Sequence, residues 1–292
     1  MIYVRLSGRI GNYLFQIAAG ATLAKRSGTA FKALIASDDV AIAAVTNESM
    51  KSYISQFQAT IFRNVDFVDS VPSNVPVFSW YSLKYQPFPA VYGDLLIEGY
   101  FQSHLYIDYS LVKALFAMPD VIEQSLNSKY SEWINRPFVC INVRRGDYLK
   151  LPHRFTICSK SYFKKAMNLI GRDSLFVCVS DDIPWCKRHI KGANIYYADK
   201  NKTILEDLYV QTFAQHNIMS NSSFSWWGAF LNFHEGKTVY YPKPWFGPHN
   251  SWQDTSNLCP TEWIALENST PLYYKVKSIF IRLKLKFSSA FV

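Results

Sequence analysis

The feature that most constrains the fold of this sequence is the regular alternation of short apolar runs with stretches of helical periodicity. In the second half of the chain, the apolar runs are separated mostly by stretches of about ten to fifteen residues with helical spacing. Strands separated in this way form parallel βαβ units, which assemble into a doubly wound sheet. In order, the five runs are FVCINV, SLFVCVS, ANIYYA, NIMS and TVYYP.

The first half of the chain begins with the same kind of unit. MIYVRL predicts a strand, SGRIGN a turn, and the following stretch a helix that ends at Gly28. Residues 60–110 predict short strands and loops, and a mostly helical segment with a break at Pro119 follows them. We therefore predict an α/β protein with two Rossmann-like halves.

The length of 292 residues favours two domains, because one domain usually has ~100–200 residues. We predict domains at 1–130 and 131–268, followed by a tail at 269–292. No acidic residue follows Glu267, whereas five basic residues do, so much of the net charge of +9 belongs to the tail. In the tail, cationic residues alternate with Ile, Phe and Leu, which predicts an amphipathic segment in peripheral contact with an anionic membrane. The alternative is a final strand or helix packed on the N-terminal domain.

The cysteines and the N-terminus predict where the protein works. The five cysteines show neither CxxC nor a paired histidine spacing, which predicts neither a metal site nor a disulfide framework. The N-terminal residues resemble a strand, not a charged leader before a long apolar segment. These features predict a cytoplasmic protein, and the tail extends this prediction to the inner face of the plasma membrane.

Four loops follow predicted strands at the edge where parallel sheets bind ligands. They are SGRIGN after the first strand, RRGD after FVCINV, SDD after SLFVCV, and SNSS after NIM. Arg144 and Arg145 offer forked donors that suit phosphate oxygens. Asp181 and Asp182 suit the donors of a base or ribose. Hydroxyls and helix N-terminal amides in the last loop suit an anion, and the residues there are Ser220, Asn221, Ser222 and Ser223.

Each loop also has a purely structural interpretation. Arginine pairs on loops form salt bridges, SNSSFSWWG is typical of an N-capped core helix, and an aspartate after a strand is a common N-cap. GRIGN does not match the GxGxxG pattern of dinucleotide-binding folds. The hypothesis of an anion site therefore depends on these loops lying together.

Several segments resemble, in order and spacing, the bacterial α-1,2-fucosyltransferases of glycosyltransferase family 11. The resemblance covers residues 1 to about 265, and the RRGDY and SNSSFSWWGA blocks are its most specific parts. The matching segments are RLSGRIGNYLFQIAAGATLAKRSG, EGYFQS, INVRRGDY, VSDDIPWCK, SNSSFSWWGAFLN and YPKPWF.

The resemblance implies a GT-B-like enzyme whose two parallel sheets face each other across a cleft. The N-terminal domain would lie on the acceptor side, and the C-terminal domain would bind the GDP-sugar. It implies an inverting transfer of L-fucose from GDP-β-L-fucose to the 2-hydroxyl of a terminal galactose in a lipopolysaccharide or capsule glycan, without metal or cofactor. The acceptor would be a galactose-terminated oligosaccharide or a lipid-linked glycan, and no nucleic acid is expected.

The resemblance also assigns roles at the second loop. The wider fucosyltransferase group carries H-x-R-R, with an arginine on the donor diphosphate, and here the motif is Asn142, Val143, Arg144 and Arg145. We expect Arg144 to be the main phosphate ligand and Arg145 to brace the loop or Asp147. If the histidine of the motif orients the arginines, the shorter amide of Asn142 must do so here.

Three residues are candidates for the base that accepts the acceptor proton. Asp147 is the nearest carboxylate to the arginines, His153 occupies a position where the family often has a histidine, and Glu98 lies in EGYFQS. The sequence does not decide among them.

In the first domain, Gly8, Gly11 and Asn12 allow close backbone approach at a helix start, which suits donor binding. The alternative functions are a non-catalytic nucleotide- or nucleic-acid-binding module, a glycan-binding protein, and a fucosyltransferase of another linkage.

Overall fold

The computed structural model of the protein describes residues 1–35 and 49–289, with side chains through 286. The chain forms two compact units, the first comprising Met1–Asp120 and Asp254–Pro260 and the second the rest of the chain. The division falls at Asp120, earlier than the predicted boundary at 130. The segment at 254–260 lies within the predicted second domain but belongs to the first unit. The tail belongs to the second unit and does not form a unit of its own.

The first unit is a parallel sheet with helices. Its strands are β1 (Ile2–Arg5), β2 (Phe31–Leu34), β3 (Phe67–Val68), β4 (Val77–Trp80) and β5 (Leu95–Gly99). Its helices are α1 (Ile10–Arg26), α2 (Met50–Gln58) and α3 (Tyr109–Leu115). The strand order is β3-β2-β1-β5-β4, and every pairing among these strands is parallel. The predicted first strand and first helix are confirmed.

The second unit is a larger parallel sheet with helices. Its strands are β6 (Val139–Val143), β7 (Phe176–Ser180), β8 (Ile195–Tyr197), β9 (His216–Ile218), β10 (Val239–Lys243) and β11 (Ile264–Glu267). Its helices are α4 (Asp120–Lys129, whose first residue lies in the first unit), α5 (Lys160–Ile170), α6 (Ile183–His189), α7 (Ile204–Tyr209), α8 (Ser223–Phe230) and α9 (Leu272–Ser289). The order is β11-β10-β9-β6-β7-β8, so β6 lies at the point where the order of connection reverses. This is the Rossmann strand order, and it confirms the predicted doubly wound parallel sheet.

The central strands of the second sheet explain why the sequence pattern was so clear. Every residue of β6 and β7 is buried, because a parallel strand covered on both faces needs an apolar side chain at nearly every position. Helix α5 begins where the Ser159 hydroxyl accepts a hydrogen bond from the backbone N–H of Tyr162 (3.2 Å). It then buries Tyr162, Phe163 and Ala166 on one face. The apolar runs and helical stretches thus meet in one core.

Two elements differ from the sequence predictions. The helical stretch predicted between the runs ANIYYA and NIMS forms α7, which ends at Tyr209 and is followed by a 3₁₀ turn, Val210–Phe213. The edge strand β11 was not predicted, because three of its four residues are exposed and the apolar run is short. The edge strand forms through its parallel pairing with β10, which local periodicity does not reveal.

A glycine at the end of β5 has a conformation that only glycine adopts readily. Gly99 has φ +151, and a Cβ there would overlap the carbonyl oxygen of Trp80 on the neighbouring strand. We expect Gly99→Ala to lower stability by about 1–3 kcal/mol, measured as a lower midpoint of urea unfolding by circular dichroism. Gly93→Ala, where a Cβ would meet nothing within 4 Å, should leave the midpoint nearly unchanged. Equal midpoints for the two variants would contradict this interpretation.

Candidate active site

The candidate site lies at the carboxyl edge of the second sheet, around the reversal point. Strands β7, β6 and β9 are neighbours there, and all three run in parallel. Three of the four predicted loops, RRGD, SDD and SNSS, therefore come together at one edge. The fourth, SGRIGN, follows β1 in the first unit. Ligands of doubly wound sheets bind at such a reversal point, outside the strand ends.

A serine hydroxyl ties two of these loops together. The backbone N–H of Arg144 donates to the Ser220 hydroxyl oxygen (3.0 Å), which in turn donates to the carbonyl oxygen of Asn142 (2.8 Å). The Ser180 hydroxyl similarly donates to the carbonyl oxygen of Val143 (2.8 Å). Ser220 has no exposed surface. Its hydroxyl, predicted to bind a ligand, is used in this structure to fix the position of Arg144.

Asn221 is also used inside the protein. Its side-chain amide donates to the carbonyl oxygens of Thr156 (3.0 Å) and Trp245 (2.6 Å), and its backbone carbonyl accepts from the Tyr148 hydroxyl (3.1 Å). It is 1% exposed. Ser220 and Asn221 thus form the framework of the site, whereas Ser223, at the start of the helix, is partly exposed.

Arg144 is a half-buried cation held between two carboxylates. It forms ion pairs with Asp147, three residues on, and with Oδ2 of Asp181 at 2.7 Å. Its guanidinium carbon lies 5.3 Å from the ring centroid of Tyr148. Burial opposes the charge, but Asp181, Tyr148 and Asp147 outweigh it and raise the pKa of Arg144 above its ordinary value. The side chain remains 22% exposed, so its charge is both fixed and accessible.

Arg145 is buried and braces the loop. Its Nε donates to Oδ2 of Asp182 (3.0 Å), its backbone N–H donates to Oδ1 of Asp181 (2.8 Å), and its guanidinium carbon lies 4.1 Å from the ring centroid of Trp185. The bracing carboxylate is therefore Asp182; Asp147, the other partner we considered, pairs with Arg144. The two arginines therefore differ in exposure, since Arg145 is enclosed and Arg144 is in contact with solvent.

Asp181 and Asp182 bind the two arginines through their carboxylates. Asp181 contacts Arg144 through one oxygen and the backbone of Arg145 through the other. Asp182 caps helix α6 by accepting from the backbone N–H of Trp185 (3.0 Å). The predicted alternative, a helix N-cap, is thus found at Asp182, and contact with a base or ribose stays a prediction for both residues.

Helix α8 begins at the same edge. The Ser222 hydroxyl accepts from the backbone N–H of Phe224 (3.2 Å), while Trp226 and Trp227 are fully buried. Within the first turn of the helix, the Ser225 hydroxyl donates to the side-chain oxygen of Asn142. The SNSSFSWWG segment is thus a capped core helix, and its first turn contacts β6, the strand that leads into the arginine loop.

Asn142 has a specific role in this arrangement. It is 6% exposed on β6, and its side chain contacts Ser225 of α8. The residue that the resemblance places at the histidine position of H-x-R-R thus joins the central strand to the start of helix α8.

The two base candidates of this unit have different surroundings. Asp147 is paired with Arg144, and 30% of its side-chain surface is exposed. His153 is 3% exposed, and its Nδ1 has no hydrogen-bond partner among the described residues. Burial, Arg154, His249 and Arg282 lower the pKa of His153, which keeps the imidazole neutral near pH 7. Both can accept a proton chemically, but only Asp147 has substantial contact with solvent.

Lys202 and Asp207 belong to the same edge, and sequence reasoning missed them. The Lys202 ammonium donates to the carbonyl oxygen of Ser180 (2.9 Å) and lies 2.9 Å from Oδ1 of Asp207. Burial raises the pKa of Asp207 to about 6, although Lys202 lowers it, and Glu206 and Asp181 raise it further. The available signal was the capping box of α7, Thr203 with Glu206, which fixes Lys202 just before the helix.

In the first unit, the predicted glycine turn and the EGYFQS segment meet. Asn12 accepts a hydrogen bond from the side-chain amide of Gln102 (2.9 Å), and Gln16 donates to the carbonyl oxygen of Gly99 (2.9 Å). Gly8 has φ +82, and Gly11 is buried in the first turn of α1. Their role in donor binding stays a prediction. Across the described residues of both units, there is no group of three His, Cys, Asp or Glu that would hold a metal ion.

The two parallel α/β units define a GT-B-like fold. The crystal structure of the fucosyltransferase NodZ from Bradyrhizobium matches with a TM-score of 0.51 and 12% identity, over 78% of this chain and 92% of that chain. A NodZ α-1,6-fucosyltransferase soaked with GDP-fucose matches with a TM-score of 0.50 and 11% identity, over 79% of this chain and 92% of that one. At such low identity, this similarity concerns the fold alone.

The family follows from the sequence match. The model of "Glycosyl transferase family 11" matches residues 1–267, so the chain belongs to glycosyltransferase family 11.

The O-antigen biosynthesis glycosyltransferase WbnK of Escherichia coli is 25% identical over 91% of this chain and 100% of its own length. An α-1,2-colitosyltransferase of Escherichia coli is 31% identical over 44% of this chain and 47% of that protein. The galactoside α-(1,2)-fucosyltransferase 1 of Rattus norvegicus is 32% identical over 36% of this chain and 30% of that protein. The chain therefore spans all of the first relative but less than half of the other two.

The raised pKa of Asp207 predicts a pH-dependent stability. Because the folded protein holds this proton more tightly than the unfolded chain, the contribution is present below about pH 4 and is lost as the pH rises through about 6. We therefore expect the unfolding free energy of the wild type, relative to Asp207→Asn, to fall by about 1–3 kcal/mol between pH 4 and pH 7.5. Urea unfolding at the two pH values measures it.

The exposed carboxylate of Asp173 provides the matched control. Asp173→Asn removes the same charge from a solvated site. If the two variants show the same change with pH, burial of Asp207 is not the cause.

Proposed function

We propose that this family 11 glycosyltransferase transfers L-fucose from GDP-β-L-fucose to the 2-hydroxyl of a terminal galactose in a cell-surface glycan, with inversion at the anomeric carbon. Family membership supports glycosyl transfer. The activities of the colitosyltransferase and fucosyltransferase relatives support the α-1,2 linkage, and that of the fucosyltransferase supports the galactoside acceptor. The role of WbnK in O-antigen biosynthesis supports a surface glycan as the product.

The observation that carries the proposal is the position of Arg144, a fixed and partly exposed cation at the reversal point of the sheet. In the transfer, the bond between the fucosyl anomeric carbon and the diphosphate oxygen breaks, and its electron pair leaves on the diphosphate. Negative charge therefore grows on that group as the sugar becomes oxocarbenium-like. Arg144 and the first amides of α8 would neutralise this charge, and such stabilisation of a leaving anion lowers the barrier.

The pairing of Arg144 with Asp147 suggests how the base is made available. A diphosphate that binds Arg144 competes with the Asp147 carboxylate for the same guanidinium group. Release of Asp147 leaves it able to accept the proton of the acceptor hydroxyl, whose oxygen attacks the anomeric carbon from the opposite face. We favour Asp147 over His153, because His153 is almost fully enclosed.

We also propose that the reaction needs no metal ion, because guanidinium and amide groups supply the positive charge. The enzyme would work in the cytoplasm, where its nucleotide-sugar donor would be present. Turnover that continues in EDTA supports metal independence, and a requirement for a divalent cation would contradict it.

The central test is an activity assay with GDP-fucose and a panel of β-galactosides, with released GDP and the linkage of the product as readouts. Arg144→Ala should lower kcat by about 10²–10³, since one oxyanion contact is worth about 2.7–4 kcal/mol. Arg136→Ala removes an exposed arginine at the opposite, amino-terminal end of β6 and should keep wild-type activity. An Arg144→Ala variant with wild-type kcat would contradict the assigned role.

Absence of turnover with every galactoside would contradict the proposed acceptor. A GDP-specific rise in thermal stability would then still support a GDP-sugar site, whereas its absence would favour the non-catalytic alternatives.

Colitose is a second candidate for the transferred sugar, because a relative with 31% identity is a colitosyltransferase. Colitose is fucose without the 3-hydroxyl. A site that hydrogen-bonds this hydroxyl rejects the analogue that lacks it by large factors. The ratio of kcat/KM for the two activated sugars therefore decides between them.

For the acceptor, we propose a surface of the first unit at the ends of β4 and β5. Tyr81 and Tyr100 follow these neighbouring strands, their ring centroids lie 6.2 Å apart, and they are 54% and 37% exposed. Glu98 lies beside them, with Arg5 and Ser79 as hydrogen-bond donors to its carboxylate. Exposed aromatic faces next to a carboxylate suit the apolar face and the hydroxyls of a sugar.

Substitution of these tyrosines tests the acceptor surface. We expect Tyr81→Ala and Tyr100→Ala each to raise the KM for the galactoside about two- to tenfold, with the KM for GDP-fucose unchanged. Tyr92→Ala, at a tyrosine that is 97% exposed in the same unit, should change neither constant. Equal changes in the two KM values would contradict acceptor binding there.

A further inference from the structure

The last helix carries an exposed apolar stripe that the proposed function does not use. Helix α9 presents apolar side chains at intervals of four, three and four residues, which align on one face. A second row, of two residues that lie seven positions apart, widens the same face. The first row is Leu272, Val276, Ile279 and Leu283, and the second is Tyr273 and Phe280. Their exposed fractions run from 43% for Val276 to 75% for Leu272.

The opposite face of α9 packs on the second unit. Ser278 is 3% exposed, and the Lys277 ammonium donates to the carbonyl oxygen of Leu149 (2.9 Å). Tyr274 and Ile281, which lie on this side of the helix, are partly buried. The helix is therefore held along one side, and the apolar stripe points away from that contact. The predicted alternative was packing on the N-terminal domain, whereas α9 belongs to the second unit.

Basic residues flank the stripe on both sides, and α9 contains no acidic residue. Lys275, Arg282 and Lys286 follow one edge of the stripe, at intervals of seven and four residues. Lys277 and Lys284, seven residues apart, follow the other edge. An apolar face between two rows of cations matches a surface with an apolar interior and anionic head groups.

A second copy of the chain is a poorer occupant. If two α9 helices paired along the stripe, the seam would continue to Lys286, which lies seven residues after Ile279. An ammonium in a helix seam lowers stability, and the facing α9 of a second copy would bring no acidic residue to this seam. At a lipid surface, the same lysine extends its stem along the apolar region and keeps its charge among the head groups.

We propose that α9 is a membrane-surface helix, which lies in the plane of an anionic lipid bilayer with its stripe inserted between the head groups. It is not a spanning helix: among the described residues, no helix is long and apolar enough to cross a membrane. The inference does not depend on the sugar that is transferred. It would bring the catalytic unit close to acceptors that are carried on lipid.

Vesicle cosedimentation of the full-length protein tests this proposal. Wild-type protein should bind vesicles of phosphatidylcholine and phosphatidylglycerol at least about tenfold better than vesicles of phosphatidylcholine alone, and salt should reduce the difference. Ile279→Gln with Phe280→Gln should lower binding to the anionic vesicles at least about tenfold, because two apolar side chains no longer insert. Lys275→Gln with Arg282→Gln should remove most of the preference for anionic lipid.

Trp252→Gln is the matched control, since it replaces a 73% exposed aromatic residue of the same unit outside α9. It should bind vesicles as the wild type does. Circular dichroism and turnover of a soluble acceptor verify that every variant is folded.

Two results would overturn the proposal. One is weak and equal binding of the wild type to both kinds of vesicle. The other is a wild-type dimer in light scattering that Ile279→Gln with Phe280→Gln converts to monomer, which would identify the stripe as an interface between copies. Loss of transfer activity with intact vesicle binding would count against the proposed function only.

Discussion

Two adjacent guanidinium groups repel each other, and this sequence accommodates them on one loop by surrounding them with carboxylates. Asp181 lies between them and contacts both residues, Asp182 holds Arg145, and Asp147 holds Arg144. These ion pairs are partly shielded from water, which strengthens them but also makes a missing partner costly. The shape of the candidate site, with one enclosed and one accessible arginine, depends on this division of partners.

The carboxylate network stays in place because the loops beneath it cannot move independently. The Ser220 hydroxyl connects the loops after β6 and β9, and the Ser180 hydroxyl connects β7 to β6. Lys202 extends the same network through its bond to the Ser180 carbonyl. A cation fixed in this way loses little freedom when an anion binds, so more of the binding energy is available to the reaction.

Some of this arrangement was predictable because it is local in sequence. The apolar runs of β6 and β7 predicted two buried parallel strands, and the Arg144 and Arg145 pair predicted a charged loop where the first of them ends. The serines of SNSS were correctly located at this edge, but Ser220 and Asn221 are fully buried and hold backbone groups. Sequence patterns do not distinguish a hydroxyl that binds a ligand from one that satisfies a carbonyl, because both follow a strand and precede a helix.

The sequence by itself determined the two α/β halves, the charged loop and the basic, amphipathic tail, because helical and strand periodicities and charge are properties of neighbouring residues. Only the tertiary structure decided which arginine is accessible, that Asp147 pairs with Arg144, and that Lys202 and Asp207 join the site. It also decided that the apolar stripe of α9 is exposed while its other face is packed. These outcomes depend on contacts between residues far apart in the chain, which are set by strand order and burial and leave little trace in local sequence.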